Sequence, residues 1–148
     1  MENRVINQEK RKAKFAFSCV KDFIDNHTID EHKKYRTYIR SMPTMILNNG
    51  IGATIAFLLS KSEKEEVHSK IGINIYDWLL KKHNRNFIEL NDKEDKDKLK
   101  ELTEQIISLS SSEYRAIEYE IISLISWFKR FVEGMIEEAD ENGEKEKE

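Results

Sequence analysis

The sequence SMPTMILNNGIGATIAFLLSK, from Ser41 to Lys61, is the most apolar stretch of this chain, with two asparagines and two glycines at its centre. A glycine costs a helix interior about 1 kcal/mol relative to alanine, so the two glycines need a structural reason. The flanking TMIL and ATIAFLL do not alternate as hairpin strands do. The spacing of a phosphate-binding loop is also missing. The pattern predicts a helix from about Met42 to Lys61, with a break at Gly50 as the lesser alternative.

This helix is apolar on nearly every side, so we expect other helices to surround it. Gly50 and Gly52 would let a neighbouring backbone approach closely, and Asn48 or Asn49 would bond a helix end or reach the surface. The segment is about long enough to cross a bilayer, but two central asparagines would be costly in hydrocarbon. We therefore predict the buried central helix of a protein that does not enter the membrane.

The composition around this helix indicates an all-α protein. Five glycines and one proline in 148 residues are too few for the many turns of a β-sandwich. The single Cys19 excludes an internal disulfide framework and suits a reducing cytosol. The charged N-terminus lacks the apolar core of a signal peptide. We expect a cytoplasmic protein with one compact bundle of five to six helices over residues 1–136.

Helix-start signals recur along the chain. Capping boxes, in which a hydroxyl is followed three residues later by Glu, begin at Thr28, Ser62 and Ser110. Asn91 begins a looser version, and Pro43 just after Ser41 suits the first turn of a helix. These signals predict separate helices that start near each of these positions.

Apolar residues at helical spacing predict the core. The last stripe has nearly heptad spacing. The stripes are Val5, Ile6, Ala13, Ala16, Phe17, Val20, Phe23 and Ile24 in the first helix; Val67, Ile71, Ile75 and Trp78 between Ser62 and Asn84; Leu99, Leu102, Ile106 and Leu109 next; and Ile117, Ile121, Leu124, Phe128, Phe131 and Met135 at the end.

Charge is distributed unevenly along the chain. The net charge is −3, but residues 1–40 carry ten Lys and Arg against six Asp and Glu. The segment Glu137–Glu148 holds seven acids and two lysines, which predicts an acidic tail that is frayed or disordered. The folded body without this tail is mildly basic. Its basic residues cluster with aromatic ones, as suits the phosphates and exposed bases of RNA, although a charged helix face often only keeps a protein soluble.

No catalytic constellation is visible in the sequence. The four histidines are scattered and none is paired with another at helical ligand spacing. Nothing beside Cys19 suggests an activating base or an oxyanion site. We therefore predict no enzyme activity, no metal, no cofactor and no small-molecule substrate. An enzyme whose groups converge only in space is the less favoured alternative.

Two ordered motifs resemble the small α-helical subunit family of the type III-B (Cmr) CRISPR RNA-guided effector complex. The likeness covers about residues 10–135. The first motif is matched here by Tyr35, Arg40, Met42, Pro43, Met45, Ile46, Asn49, Gly50, Ile51, Phe57 and Lys61. The second is matched by Tyr119, Glu120, Trp127, Lys129, Arg130 and Phe131. Ile51 and Phe128 stand where Leu is commoner in the family, and Ala53 stands where Gln is frequent.

The resemblance implies a non-catalytic subunit whose copies stack along the complex and help to hold target RNA paired to the CRISPR RNA in antiviral defence. Its implied partners are the CRISPR RNA, the target RNA, the other Cmr subunits and sister copies of itself. Sequence specificity would then come from base pairing, with this protein supplying charge and shape. The RNA-binding candidates are Lys14, Lys21, Arg36, Arg40, Lys61, Lys129 and Arg130.

A second interpretation needs no RNA. A helical adaptor or scaffold that binds only proteins would carry the same basic residues as solubilising charges. Partners that survive nuclease treatment, with no guide RNA in the eluate, would favour the adaptor.

Overall fold

The computed structural model describes residues 2–81 and 93–138, and within them the chain forms five α-helices and no strand. The all-α prediction is confirmed. Residues 139–148 of the predicted acidic tail lie outside the described residues. The disorder predicted for them therefore stays a prediction. The helices are α1 (Glu2–Asn26), α2 (Ile29–Lys61), α3 (Glu66–Lys81), α4 (Asp95–Ile107) and α5 (Ser111–Met135).

These helices contribute to two compact units. The terminal unit holds the described residues up to Met42 and those from Leu124 onward, and the central unit runs from Pro43 to Ser123. Helices α2 and α5 each supply residues to both units. One domain over residues 1–136 therefore stays a prediction.

Aromatic stacking anchors the core of the terminal unit. The Phe23 ring lies parallel to both the His27 and Tyr35 rings, with centroids 3.9 Å away in each case. Of the predicted α1 stripe, Val5 and Ile6 are instead 63% and 51% exposed. The buried apolar residues of this unit are Ala16, Val20, Phe23, Tyr35, Ile39, Met42, Leu124, Ile125, Phe128, Val132 and Ile136.

The central unit buries the predicted faces of α3 and α4. Val67, Ile71, Ile75 and Trp78 are all buried, as are Leu99, Leu102 and Ile106. Across the two helices, Lys98 Nζ lies 2.8 Å from Asp77 Oδ1. Burial disfavours the charged form of Lys98, but the hydrogen bonds that it donates to Asp77 and Asp95, together with their charges, outweigh burial and raise the pKa of this amine.

Two of the predicted capping boxes are confirmed. In one, Thr28 N donates to Glu31 Oε1 at 3.0 Å and Glu31 N donates to Thr28 Oγ1 at 3.3 Å. Ser110 and Glu113 exchange the same pair of bonds. The first backbone N–H groups of a helix have no carbonyl partner within that helix, and these reciprocal bonds give two of them an acceptor.

The capping box predicted at Ser62 is wrong. Helix α3 begins later, at Glu66, and the Ser62 hydroxyl donates to the Leu59 carbonyl at 2.8 Å. Ser62 thus satisfies an acceptor at the end of α2 rather than a donor of α3. The looser signal at Asn91 lies outside the described residues, and Glu94, which caps α4, makes no side-chain cap bond.

The separate helix start predicted at Ser41 is also wrong, because α2 continues through Pro43. Proline in a helix interior removes one backbone hydrogen bond. The buried positions of α2 nevertheless keep their spacing from Ile39 through Met42 to Ile46. Apolar burial on both sides of the proline offsets the single lost bond.

Helix α2 breaks instead at Gly50, the lesser of the two alternatives. Gly50 has φ 84° and ψ 162°, and it is the one described residue with positive φ. This backbone conformation is nearly exclusive to glycine. The break divides α2 into helical stretches over residues 29–49 and 51–61, which explains the first glycine of the quoted sequence.

The apolar segment buries one face rather than all sides. Ile46, Ile51, Ile55 and Leu58 are buried, whereas Leu47 is 77% exposed. Helix α2 is long and apolar enough to cross a membrane by length and composition. A core helix of a soluble protein passes the same test, and the buried stripe of α2 is typical of such a helix.

The α5 stripe is confirmed in its first four residues, Ile117 to Phe128. After Phe128 the burial steps by four, to Val132 and Ile136, and leaves Phe131 half-buried. A straight helix drifts away from a seven-residue repeat because it has 3.6 residues per turn. Phe131 is thereby free to join a cluster near the surface.

Candidate nucleic-acid interface

Lysines line the solvent side of α1 in the terminal unit. The buried face of this helix carries Ala16, Val20 and Phe23. Lys14 and Lys21 are exposed and lie on the opposite side, together with Lys10 and Arg11. We call the residues Lys10, Arg11, Lys14 and Lys21 the α1 basic face. Its charges project into solvent, where an anionic chain can reach them.

An aromatic cluster borders this face. The rings of Phe17 and Phe131 meet edge to face with centroids 5.4 Å apart. Trp127 lies against Phe131 at 5.9 Å with an interplanar angle of 25°, and its indole Nε1 donates to Glu9 Oε2 at 2.9 Å. Phe17 remains 43% exposed. We call Phe17, Trp127 and Phe131 the aromatic cluster.

The aromatic cluster and the α1 basic face meet at Phe17. Lys14 precedes Phe17 by three residues and Lys21 follows it by four, which places all three on one side of α1. Within the described residues, neither lysine has a salt-bridge partner. A partly exposed aromatic ring between two cations suits single-stranded nucleic acid, since phosphates pair with cations and bases stack on aromatic rings.

Arg40 is already paired within the protein. Its Nε lies 2.9 Å from Glu133 Oε2, and both side chains are partly exposed. Such a surface pair contributes little stability. The Glu133 carboxylate nevertheless offsets the charge of Arg40, one of the predicted RNA-binding residues. Arg40 is therefore a weaker phosphate ligand than an unpaired cation.

Arg36 lies on the same helix and is half-buried. Among the described residues its buried Nε has no hydrogen-bond partner. Of the neighbouring tyrosines, Tyr35 is fully buried against Phe23 and offers no ring to a nucleobase. Tyr38 is half-buried, and burial raises its pKa to about 12. Arg36 therefore presents an unsatisfied donor beside one buried and one half-buried tyrosine.

The two basic residues of the C-terminal motif differ in exposure. Arg130 is exposed, whereas Lys129 is half-buried. Of the aromatic residues between which they lie, Phe128 is completely buried and Phe131 belongs to the aromatic cluster. Arg130 is thus the better placed of the pair to reach a ligand.

Lys61 is the one candidate of the predicted seven that lies in the central unit. It ends α2, and its Nζ lies 5.8 Å from the centroid of the Phe57 ring, a cation–π contact. The other six candidates all belong to the terminal unit.

Sequence reasoning missed the acids that organise this surface. Glu9 accepts from Trp127 across 118 positions, and Glu133 pairs with Arg40 across 93. No local pattern marks either glutamate, because only the packing of distant helices brings the partners together.

A family model described as CRISPR-associated protein (Cas_Cmr5) matches residues 8–135. This range contains α2 to α5, both quoted motifs and every predicted site residue. The resemblance drawn from the two motifs is confirmed. The chain belongs to the Cas_Cmr5 family, the CRISPR-associated small subunit of the type III-B Cmr complex.

Proposed function

We propose that this protein is a non-catalytic small subunit that helps to hold target RNA paired to CRISPR RNA within a Cmr complex. Family membership implies association with the other Cmr subunits. Contact with the RNA strands, stacking of sister copies and a cytoplasmic location are parts of the proposal. Base pairing to the guide would supply the sequence specificity, and this subunit would supply charge and shape.

The observation that carries the proposal is the arrangement of Lys14, Phe17 and Lys21. The two lysines are exposed and, among the described residues, unpaired, while the aromatic ring between them is 43% exposed. A partly exposed aromatic ring between two cations offers a base a surface to stack on and its phosphates a charge to pair with. Arg130, next to Phe131 of the aromatic cluster, extends the same chemistry onto α5. We therefore assign RNA contact first to Lys14, Lys21 and Arg130.

The remaining candidates take secondary positions in the proposal. Arg36 and Lys129 are half-buried, and Arg40 would have to leave Glu133 to bind a phosphate. Lys61 belongs to the central unit and would contact a different part of an RNA strand.

A non-catalytic role is supported by the packing contacts of three buried or half-buried ionisable groups, Glu120, Glu118 and His68. Glu120 accepts the indole N–H of Trp78 at 2.9 Å, and Glu118 accepts a backbone N–H of α2. Buried His68 lies 2.9 Å from Glu65 and edge-on to Phe57. Each of these groups has a packing role of its own.

A salt titration with a single-stranded RNA oligomer tests the contact. The variant Lys14→Gln/Lys21→Gln removes two cations, so the slope of log affinity against log salt should shrink by about 0.7 for each lost phosphate contact. Binding should weaken at low salt, and thermal stability should be unchanged because both side chains are exposed. Phe17→Leu should weaken binding without changing the slope.

The matched control is Lys64→Gln/Lys100→Gln, which removes two exposed lysines of the central unit. Equal losses in both double variants would show a nonspecific charge effect and refute the assigned surface. The adaptor interpretation predicts a further result: the complex forms and keeps its subunits, but none of the variants changes RNA capture.

A further inference from the structure

We propose that the Phe17 ring stacks on one unpaired base of a bound RNA strand and that Glu9 is the positioning residue that holds this ring in place. Stacking rests on the proposed function and deepens it, because it names the part of the nucleotide that the aromatic cluster takes. Bases within a duplex are paired and stacked on their neighbours, whereas the bases of a single strand are free to stack on aromatic side chains. The aromatic cluster therefore makes this surface selective for RNA that is unpaired at the point of contact.

The Phe17 ring has a face that a base can cover. Phe17 is 43% exposed, and within the described residues the one ring that contacts it is Phe131, at an interplanar angle of 86°. In an edge-to-face pair, each ring covers at most one face of the other. At least one face of Phe17 is therefore clear of Phe131.

Charge on both sides of the ring points to a nucleotide as the ligand. Lys14 and Lys21 lie about 5 Å before and about 6 Å after Phe17 along α1. Both lysines are exposed, and neither has a salt-bridge partner within the described residues. A base stacked on Phe17 brings the phosphates of its own strand to such flanking cations, whereas an apolar peptide would leave both lysines without a partner.

A series of contacts connects the Phe17 ring to Glu9. Phe17 meets Phe131 with centroids 5.4 Å apart, and Phe131 lies against Trp127 with centroids 5.9 Å apart. The Trp127 indole Nε1 donates to Glu9 Oε2 at 2.9 Å. This hydrogen bond orients the indole, and the indole in turn supports the Phe131 ring against which Phe17 packs. Glu9 therefore acts on the bound base through the aromatic cluster, without touching the base.

The surroundings of Glu9 explain how a basic surface tolerates a carboxylate. A carboxylate near bound phosphates repels them, and the Glu9 side chain is 47% exposed. The buried Lys12 lies beside it, with Nζ 3.6 Å from Glu9 Oε1, and offsets its charge. One oxygen of Glu9 thus faces a cation while the other holds the indole. What Glu9 contributes at this surface is therefore its hydrogen bond rather than its charge.

Three RNA oligomers of one length, a single strand, its duplex and an abasic strand, test the stacking on the full chain. A duplex carries phosphates more densely than a single strand, so a surface that used charge alone would bind the duplex at least as tightly. We expect the single strand to bind more tightly than the duplex. The abasic strand should bind about fivefold or more weakly than the strand with bases, the low end for stacking one base on an aromatic side chain. Phe17→Leu should bind these two strands alike.

Two Glu9 variants with the same charge test the positioning role. Glu9→Gln keeps an oxygen that can accept the indole N–H, and Glu9→Ala does not. Both remove one negative charge, so the slope of log affinity against log salt should be equal in the two. We expect only Glu9→Ala to lose most of the preference for the strand with bases over the abasic strand. Trp127→Phe keeps an aromatic ring but removes the N–H, and it should lose the preference as Glu9→Ala does.

Each contrary outcome identifies the idea that fails. An abasic strand that binds as tightly as the strand with bases, or a duplex that binds as tightly as the single strand, would refute the stacking. The proposed lysine contact would still stand if Lys14→Gln/Lys21→Gln reduced the salt slope. Equal preferences in Glu9→Ala and Glu9→Gln would refute the positioning role of Glu9. A chain that bound none of the three oligomers would refute the proposed RNA contact and the stacking together.

Discussion

The hydroxyl of Tyr114 accepts a hydrogen bond from the backbone N–H of Gly52 at 2.7 Å. Gly50 is not helical, so the N–H groups that follow it have lost their usual carbonyl partners one turn earlier. The Ile51 N–H donates in the same way to Glu118 Oε2 at 2.9 Å. Two side chains of α5 thus cap the second stretch of α2, which explains both glycines: one makes the break and the other leaves room for the tyrosine.

Tyr114→Phe should destabilise the protein by about 1 kcal/mol, since it removes an acceptor and leaves a part-buried N–H without a partner. For a chain of this length the melting temperature should drop by about 2–4 °C. Tyr119→Phe is the matched control, because Tyr119 lies on the same helix and is 78% exposed. Equal melting temperatures for the two variants would contradict the capping role.

Gly50→Ala should cost about 1–3 kcal/mol, because its backbone conformation suits only glycine. An added Cβ would also approach the Tyr114 hydroxyl to 3.0 Å. Gly134→Ala is the opposite case: it lies within α5, its added Cβ would meet nothing within 4 Å, and the change should stabilise by up to about 1 kcal/mol. Urea unfolding of both variants measures the contrast, and a neutral Gly50→Ala would refute the break.

Glu120→Ala should destabilise by about 1–3 kcal/mol, because the buried indole N–H of Trp78 would lose its acceptor. Glu120→Gln keeps a carbonyl oxygen at the same place and should retain much of the stability. The tryptophan fluorescence transition in denaturant reports both changes. A Gln variant as unstable as the Ala variant would show that the charge, rather than the hydrogen bond, matters.

Stability should fall on acidification through His68. Burial lowers the pKa of this imidazole; nearby Glu65 opposes the shift and Lys61 adds to it. The unfolded chain therefore takes up the proton first, so the contribution is full above a pH of about 6.5 and is lost as pH falls below that value. His68→Gln should flatten this part of the stability profile in urea titrations from about pH 8 to about pH 5. An unchanged slope would show that other groups control it.

Much of the fold was predictable because its signals are local. The capping boxes at Thr28 and Ser110 lie within single helix turns, and the buried stripes of α3 and α4 follow a period of 3.6 residues. The helix starts predicted at Ser62 and before Pro43 were wrong because local signals of this kind are ambiguous. A serine near a helix boundary can serve either end, and a proline can be tolerated inside a helix when burial on both sides continues.

The candidate site was predictable in its residue types and only partly in its geometry. The sequence offered Lys14 and Lys21 as RNA-binding candidates, and the structure leaves both exposed on the side of α1 opposite its buried face. The pairing of Arg40 with Glu133 and the burial of Tyr35 against Phe23 depend on which helices become neighbours. The spacing of apolar residues predicts that a helix face is buried, but it does not identify the helix that packs against that face.

By itself the sequence determined an all-helical chain of the Cas_Cmr5 family, the helix starts capped by Thr28 and Ser110 and most of the buried positions, because these follow from backbone hydrogen bonding and apolar periodicity within a few turns. Only the tertiary structure decided that α2 breaks at Gly50, which charges stay unpaired and which aromatic ring stays partly exposed between lysines. Those outcomes depend on contacts between residues about 60 to 120 positions apart, and the chain can choose among such contacts only when its helices pack.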